Sequence, residues 1–398
     1  MAATLHTDQR LVGGLPGFVI LYATLYGAFG ALSPFLPAFL HSRLLRPEQI
    51  GFILGAGTAV RLATGPAAGR VADQTRYHRT TFAICTVGAA VFALSDFVLQ
   101  GFWPLLAVTL CWSASIAPAA PLTDALALAA AKPQPAKKGF EYGWVRGAGS
   151  AGFILGTIGS GQLVQPLGLG VILAVQAALL VIAAIWISRV PNYLAAPRAS
   201  QNRAEDGTIS ELLRLPAFRQ VVLVAALVLG SHALHDSFAA IYWNSAGIGP
   251  AMLSVLWSEQ VIAEVVVFLL IGPALLRWIG PSWALTVSAA IGAIRWGLMA
   301  MSTGPYVLAS IEPLHGATFA LLHLAAMRII AAVIPLRLAA SAQAVYGTLG
   351  VGAAVAVLTF ASGLLYEHLG GRGFWVMAAL CVTAVPIAMR VRDPMSAL

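Results

Sequence analysis

Ser160-Gly161-Gln162-Leu163-Val164-Gln165-Pro166-Leu167-Gly168 returns 202 residues later as Ser362-Gly363-Leu364-Leu365-Tyr366-Glu367-His368-Leu369-Gly370. Two more pairs recur at nearly the same distance. Tyr142-Gly143 and Tyr346-Gly347 are 204 apart, and Gly65-Pro66-Ala67-Ala68-Gly69-Arg70 and Gly272-Pro273-Ala274-Leu275-Leu276-Arg277 are 207 apart. Self-similarity at half the chain length marks a duplicated unit. The residues around each copy say what was duplicated. Of 398 residues 59% are hydrophobic and 10% charged, against about 25% charged in a soluble domain. The duplicated unit is therefore a set of apolar helices built for a bilayer.

A crossing needs about 20 apolar residues, and charged or turn-forming clusters mark its ends. This predicts twelve spans in an all-α membrane protein. The first six are Leu15–Leu40, Ile50–Ala68, Thr81–Leu99, Trp103–Ala131, Tyr142–Val164 and Leu169–Ser188. The second six are Phe218–Trp243, Met252–Leu275, Ser282–Met301, Tyr306–Ala332, Ala340–Tyr366 and Phe374–Met389. The stretch 191–215, with Arg198, Arg203, Glu205, Asp206, Glu211 and Arg214, is expected to be a cytoplasmic linker between bundles 1–190 and 216–398. The first apolar run exceeds a signal-peptide core of about 7 to 15 residues and is expected to stay as helix one.

Lys and Arg fall in the termini and even-numbered loops, except Arg43, Arg46 and Arg372 in odd-numbered loops and Arg61, Arg146 and Arg295 inside spans. Cytoplasmic loops carry the excess of basic residues, so both termini are expected in the cytoplasm. The net charge of +8 is explained by that bias, and no nucleic-acid partner is implied. Cys85, Cys111 and Cys381 lie inside apolar runs without paired spacing, which suggests neither a disulfide framework nor a zinc site. Gly143 and Gly147, and Gly152 and Gly156, lie four apart on helix five and are expected to serve close helix packing.

Charge inside a span needs a partner, a wet cavity or a proton, since it costs at least about 2.5 to 3.5 kcal/mol at bilayer depth. The acids are Asp124, Asp236, Glu259, Glu264 and Glu312, against the bases Arg61, Arg146 and Arg295. Acids outnumber bases, so some carboxyls can serve as proton carriers. Asp124 and Arg146 lie at matching depth on antiparallel neighbours and can pair, as a structural bridge or as one opened by substrate. His232, His235 and Asp236 can share a face. A polar pathway explains them better than a metal site, because no further Cys or His cluster completes a shell. Of Glu259 and Glu264, about 140° apart around a helix, Glu264 is nearer midspan and is chosen for the cavity. Glu312, His315 and His323 fall in one helical sector, which sets a carboxyl beside His315.

These segments resemble the major facilitator superfamily over essentially the full chain, in the branch of lactose permease and the 3-phenylpropionate transporters. Gly69-Arg70-Val71-Ala72-Asp73 with Arg76 and Arg79 resembles its loop motif between helices two and three, without the second glycine. Phe140-Glu141-Tyr142-Gly143-Trp144-Val145-Arg146 is similar to the permease segment ending in its sugar-binding arginine, and Asp124 lies near its sugar-binding glutamate. Arg295, His315 and Glu264 resemble its helix nine arginine, helix ten histidine and helix eight glutamate. Thr318 stands where the permease keeps its proton-exchanging glutamate, and Phe153 where it stacks a tryptophan on sugar. Pro121-Leu122-Thr123-Asp124-Ala125-Leu126, Ala240-Ile241-Tyr242-Trp243, Leu314-His315, His323-Leu324-Ala325-Ala326-Met327-Arg328 and Gly373-Phe374-Trp375-Val376-Met377 resemble the phenylpropionate branch.

The resemblance implies a major facilitator fold and a secondary transporter of a bacterial inner membrane, with no enzymatic activity and no cofactor. The expected cargo is an aromatic or other small organic carboxylate moved with protons by rocking of two bundles; the alternative is a sugar or nucleoside symporter. Arg146, Arg295 and Arg61 are the expected anion anchors because a guanidinium grips a carboxylate by two bonds. Asp124 and Phe153 complete the expected substrate site, and Asp236, Glu264 and His315 are the expected proton carriers. A monomer is expected.

Overall fold

A computed structural model describes residues 14–132, 139–195 and 209–391. The predicted linker's central residues 196–208, and with them Arg198, Arg203, Glu205 and Asp206, lie outside the described residues. Among the described residues every regular element is helical. Eight helical runs are long and apolar enough to cross a membrane. Two of them, Pro250–Met301 and Ser341–Met389, have 52 and 49 residues. At 1.5 Å per residue the longer would reach about 78 Å, far beyond a hydrocarbon core of about 30 Å. Each is broken by a glycine in left-handed backbone, Gly280 (φ 76°) and Gly370 (φ 52°), a conformation only glycine adopts without strain. The breaks fall between the spans read from sequence.

The first run differs from expectation. The sequence predicted one helix from Leu15 to Leu40, whereas the structure has Leu15–Leu32, a turn, and Leu36–Ser42. Pro34 is the reason. It has no N–H to offer the Gly30 carbonyl one turn back, and the Thr157 hydroxyl donates there instead, at 3.0 Å.

The chain forms two compact units, Met1–Leu36 with Val60–Ser200 and Pro37–Ala59 with Gln201–Leu398. In the first, Leu15–Leu32 packs along Tyr142–Leu167 and Val171–Trp186, around Phe18, Leu21, Leu25, Phe82, Leu126 and Leu180. Glycines set the approach. A Cβ on Gly152 would lie 2.4 Å from the Ala23 carbonyl oxygen, and one on Gly156 would lie 2.2 Å from that of Gly27. The expected packing role therefore holds for Gly152 and Gly156. It fails for Gly143 and Gly147, whose added Cβ would meet nothing within 4 Å. The loop after Pro47–Thr75 turns at Arg76 (φ 61°), and Arg79 donates to the carbonyls of Ser188 and Val190 at 3.2 and 3.0 Å. A basic side chain thus covers the orphan carbonyls at a helix end.

In the second unit Gly272–Met301 packs on Phe374–Met389, and Ala233–Ser245 packs on Ala354–Leu369. Its helices are irregular. Val267–Ile271, Gly316–Leu321 and Tyr346–Ala353 are π-helical, and Glu312–Leu314 is a 3-10 turn. Such segments inside helices mark functional positions more often than chance.

The short helix Ile209–Arg214 is tied to this unit by Arg337, whose Nη1 donates to Glu211 Oε2 at 3.1 Å and whose Nη2 donates to Oε1. The fork holds the Glu211 carboxyl below its ordinary value of 4.5. A depressed carboxylate contributes stability above its ordinary value and loses it as pH falls through the lowered one. Glu211→Gln should therefore lower the thermal unfolding midpoint slightly at pH 7, and by less as the pH falls through the lowered value. Equal shifts at pH 7 and below the lowered value would mean the fork contributes nothing.

Candidate functional site

Two polar clusters lie inside the apolar helices, one in each unit. In the first, Asp124 projects from Ala119–Ala131 and receives two phenol hydrogens on one oxygen. Tyr22 donates to Asp124 Oδ1 at 2.5 Å and Tyr142 donates to the same atom at 2.7 Å. Arg146 Nη1 stands 3.9 Å from that oxygen and donates instead to the Tyr26 hydroxyl at 2.5 Å. Tyr22 and Tyr26 stack with centroids 5.6 Å apart, and the Arg146 guanidinium lies 5.3 Å from the Tyr26 ring centre. Tyr22 and Tyr26 are four apart on one helix, which is why one face carries both.

The Arg146 side chain is 47% exposed and that of Asp124 is 36% exposed. Among the described residues Arg146 makes no hydrogen bond other than the one to Tyr26, so most of its five donors have no hydrogen-bond partner among them. With its carboxylate held by phenols and its guanidinium turned outward, the cluster can receive an anion.

The second cluster is deeper. Arg295 Nη2 donates to Glu312 Oε2 at 2.8 Å, and both side chains are 0% exposed. His235, also 0% exposed, sets Nε2 at 3.4 Å from that same oxygen and Nδ1 at 3.0 Å from Asp236 Oδ1. Arg295 Nη1 also points at His315 Nδ1 at 3.3 Å, and His315 Nε2 lies 3.8 Å from Glu264 Oε2. A guanidinium only donates. His315 must therefore accept at Nδ1 and carry its single proton on Nε2, facing Glu264. Glu312 Oε1, Arg295 Nε and Glu259 Oε2 are buried without a hydrogen-bond partner. His232 bonds the Val228 carbonyl at 2.9 Å and Thr318 Oγ1 at 2.9 Å.

The structure thus brings together Asp124 with Arg146, and Arg295 with His315, Glu264 and, through Glu312 and His235, Asp236. Arg61 is an exposed residue of Pro47–Thr75. Phe153 is half-buried, and its carbonyl is where a Cβ on Gly30 would collide, at 2.0 Å. The single sector expected for Glu312, His315 and His323 is broken up by the 3-10 turn and the π segment. Glu312 faces Arg295 and His235, and His323 lies by Phe268 and Tyr346. Sequence reading missed Tyr22, Tyr26, Tyr142, Gln260 and the central place of His235 and Glu312. The four-residue spacing of Tyr22 and Tyr26 was the available signal. Among the described residues no three or more His, Cys, Asp or Glu side chains group to hold a metal ion.

The family and the relatives that the chain matches make it a membrane transporter of the major facilitator type, not an enzyme. It belongs to the MFS_1-like family, whose model matches residues 17–377. It is 33% identical over 377 residues to the "Probable 3-phenylpropionic acid transporter" of Escherichia coli (strain K12), covering 93% of this chain and 96% of that one. It is 27% identical over 372 residues to the maltose permease of Geobacillus stearothermophilus, covering 92% and 91%. Among solved structures, the nucleoside transporter NupG superposes with a TM-score of 0.79 at 18% identity, over 94% of this chain and 98% of NupG.

Proposed function

We propose that this carrier moves a small aromatic carboxylate across a bacterial inner membrane by alternating access, together with a proton. The outward-turned guanidinium of Arg146 carries the proposal: a half-exposed cation inside an apolar helix, not consumed by the nearby carboxylate, suits an anionic cargo. The name of the Escherichia coli relative points to the same chemistry. Phe153 and the exposed Arg61 remain candidates for lining the path. Arg295, fully buried and taken by Glu312, serves the proton half of the cycle with Asp236, Glu264 and His315.

The proposed carrier has twelve crossings. To the eight apolar runs, the breaks at Gly280 and Gly370 add two. The helices His78–Ser95 and Tyr142–Leu167, of 18 and 26 residues, supply two more of spanning length. In this reading the duplicated bundles are 1–190 and 216–398, joined by 191–215, with both termini on the basic, cytoplasmic side. The carrier works as a monomer.

The test is uptake of radiolabelled 3-phenylpropionate into proteoliposomes, with and without an inward proton gradient. Gradient-stimulated uptake is expected, and Arg146→Ala should abolish it while the protein stays folded. Wild-type uptake by Arg146→Ala would remove that residue from the site. A sugar or nucleoside symporter is the second reading, favoured by the closeness of Asp124 to Arg146 as acceptor and donor for hydroxyls. Competition by uncharged sugars or nucleosides, and none by aromatic acids, would put it first.

A further inference from the structure

We propose that His235 is a proton-binding site, loaded as an imidazolium clamped between Asp236 and Glu312, and that unloading it hands Glu312 to Arg295 alone. The argument is one of donors and acceptors. Nδ1 faces Asp236 Oδ1 at 3.0 Å and Nε2 faces Glu312 Oε2 at 3.4 Å. Carboxylate oxygens accept, so a neutral ring can serve only one of the two, whereas a ring protonated at both nitrogens can donate to each. His315 is the opposite case, since Arg295 occupies its Nδ1. The surroundings of His235 suit a cation. Its ring stacks on Trp257 at 4.8 Å and lies 5.6 Å from Trp243 and 5.8 Å from Trp296, and an aromatic face attracts a desolvated cation.

The ionisable groups around it are Asp236 and His232 on its own segment, Arg295, Glu312 and His315 from the helices packed on it, and Glu259 and Glu264 from Pro250–Val266. Gln260 makes the site two-state. Its amide nitrogen lies 3.4 Å from His235 Nε2. A half-turn of the amide exchanges nitrogen for oxygen, an assignment made from the hydrogen-bond network. Gln260 can thus accept from the imidazolium or donate to the neutral ring, and neither state leaves Nε2 unpaired.

Loss of the proton breaks the contact to Glu312 Oε2, because two lone pairs would then face each other. Glu312 Oε1 and Arg295 Nε, both buried and without partners, are the atoms that would close a second bond, turning a single contact into a two-bond fork. The proton would thereby be converted into a shift of a buried ion pair. That coupling to transport rests on the proposed function; the proton site itself does not.

The test is nitrogen-15 NMR of the labelled histidines of the full chain in lipid nanodiscs at pH 7.5. One histidine with both ring nitrogens protonated is expected, absent in His235→Gln. Asp236→Asn, a change at a side chain 56% exposed that folding should tolerate, is expected to weaken proton binding at His235 by about tenfold or more, the effect of removing one adjacent opposite charge. No doubly protonated histidine at pH 7.5, or one that survives His235→Gln, overturns the proposal. If the wild type gives the expected spectrum and still fails to take up 3-phenylpropionate, the substrate reading falls and the proton site stands. If uptake is gradient-driven, His235→Gln should lose accumulation and keep exchange of labelled for unlabelled substrate; undiminished accumulation overturns the coupling.

Discussion

Replacing Glu312 by Leu is expected to destabilise the protein by about 3 to 5 kcal/mol, the cost of leaving one member of a buried ion pair without the other. Arg295 and Glu312 are both 0% exposed and 2.8 Å apart. The pair itself need contribute little, since desolvating two charges offsets most of their attraction. The double change Arg295→Met with Glu312→Leu should therefore recover most of the loss, although it removes more polar contacts than either single change. Thermal unfolding of the purified protein in detergent measures Glu312→Leu, Arg295→Met and the double variant. A double variant as unstable as the single ones would mean that His235 and His315 depend on the pair for their own placement.

The second large effect is expected at the glycines between Leu15–Leu32 and Tyr142–Leu167. Gly156→Ala puts a carbon 2.2 Å from the Gly27 carbonyl oxygen, where real contacts do not occur, and the obstacle is backbone that cannot rotate aside. The two helices must separate. Overpacking costs about 1 to 3 kcal/mol and more where the neighbour is rigid. Gly143→Ala and Gly147→Ala, on the same helix but meeting nothing within 4 Å, should be neutral or gain up to about 1 kcal/mol in helix propensity. Comparison of the unfolding midpoints separates packing from propensity. A Gly156→Ala protein as stable as the wild type would show that the helix contact is soft.

Much of this is legible in the sequence. Apolar runs and their polar punctuation give the helices, because a bilayer imposes one length and one composition. The Asp124–Arg146 pair was legible because both residues lie near the same ends of adjacent helices. Glu312 was misplaced for a definite reason. Assigning it to His315 assumed an unbroken α-helix, whereas the 3-10 turn Glu312–Leu314 and the π segment after it re-aim the side chains. The contact that matters most to Glu312 comes from Arg295 on another helix, and periodicity along one helix holds no information about that. Tyr22 was missed because a tyrosine in an apolar run reads as packing until its acceptor, 102 residues away, is in view.

The π segments also govern how the chain can change length. A π turn is an α-helix carrying one residue in excess. Deleting a residue within Tyr346–Ala353 lets the surplus vanish while the helix on either side keeps its register. The same deletion in Tyr142–Leu167 between Arg146 and Gly152 would rotate one from the other by about 100°, so the guanidinium and the glycine contact could not both be kept. Insertions and deletions among relatives should therefore collect at the three π segments of the second unit and be absent from the glycine-packed helix of the first.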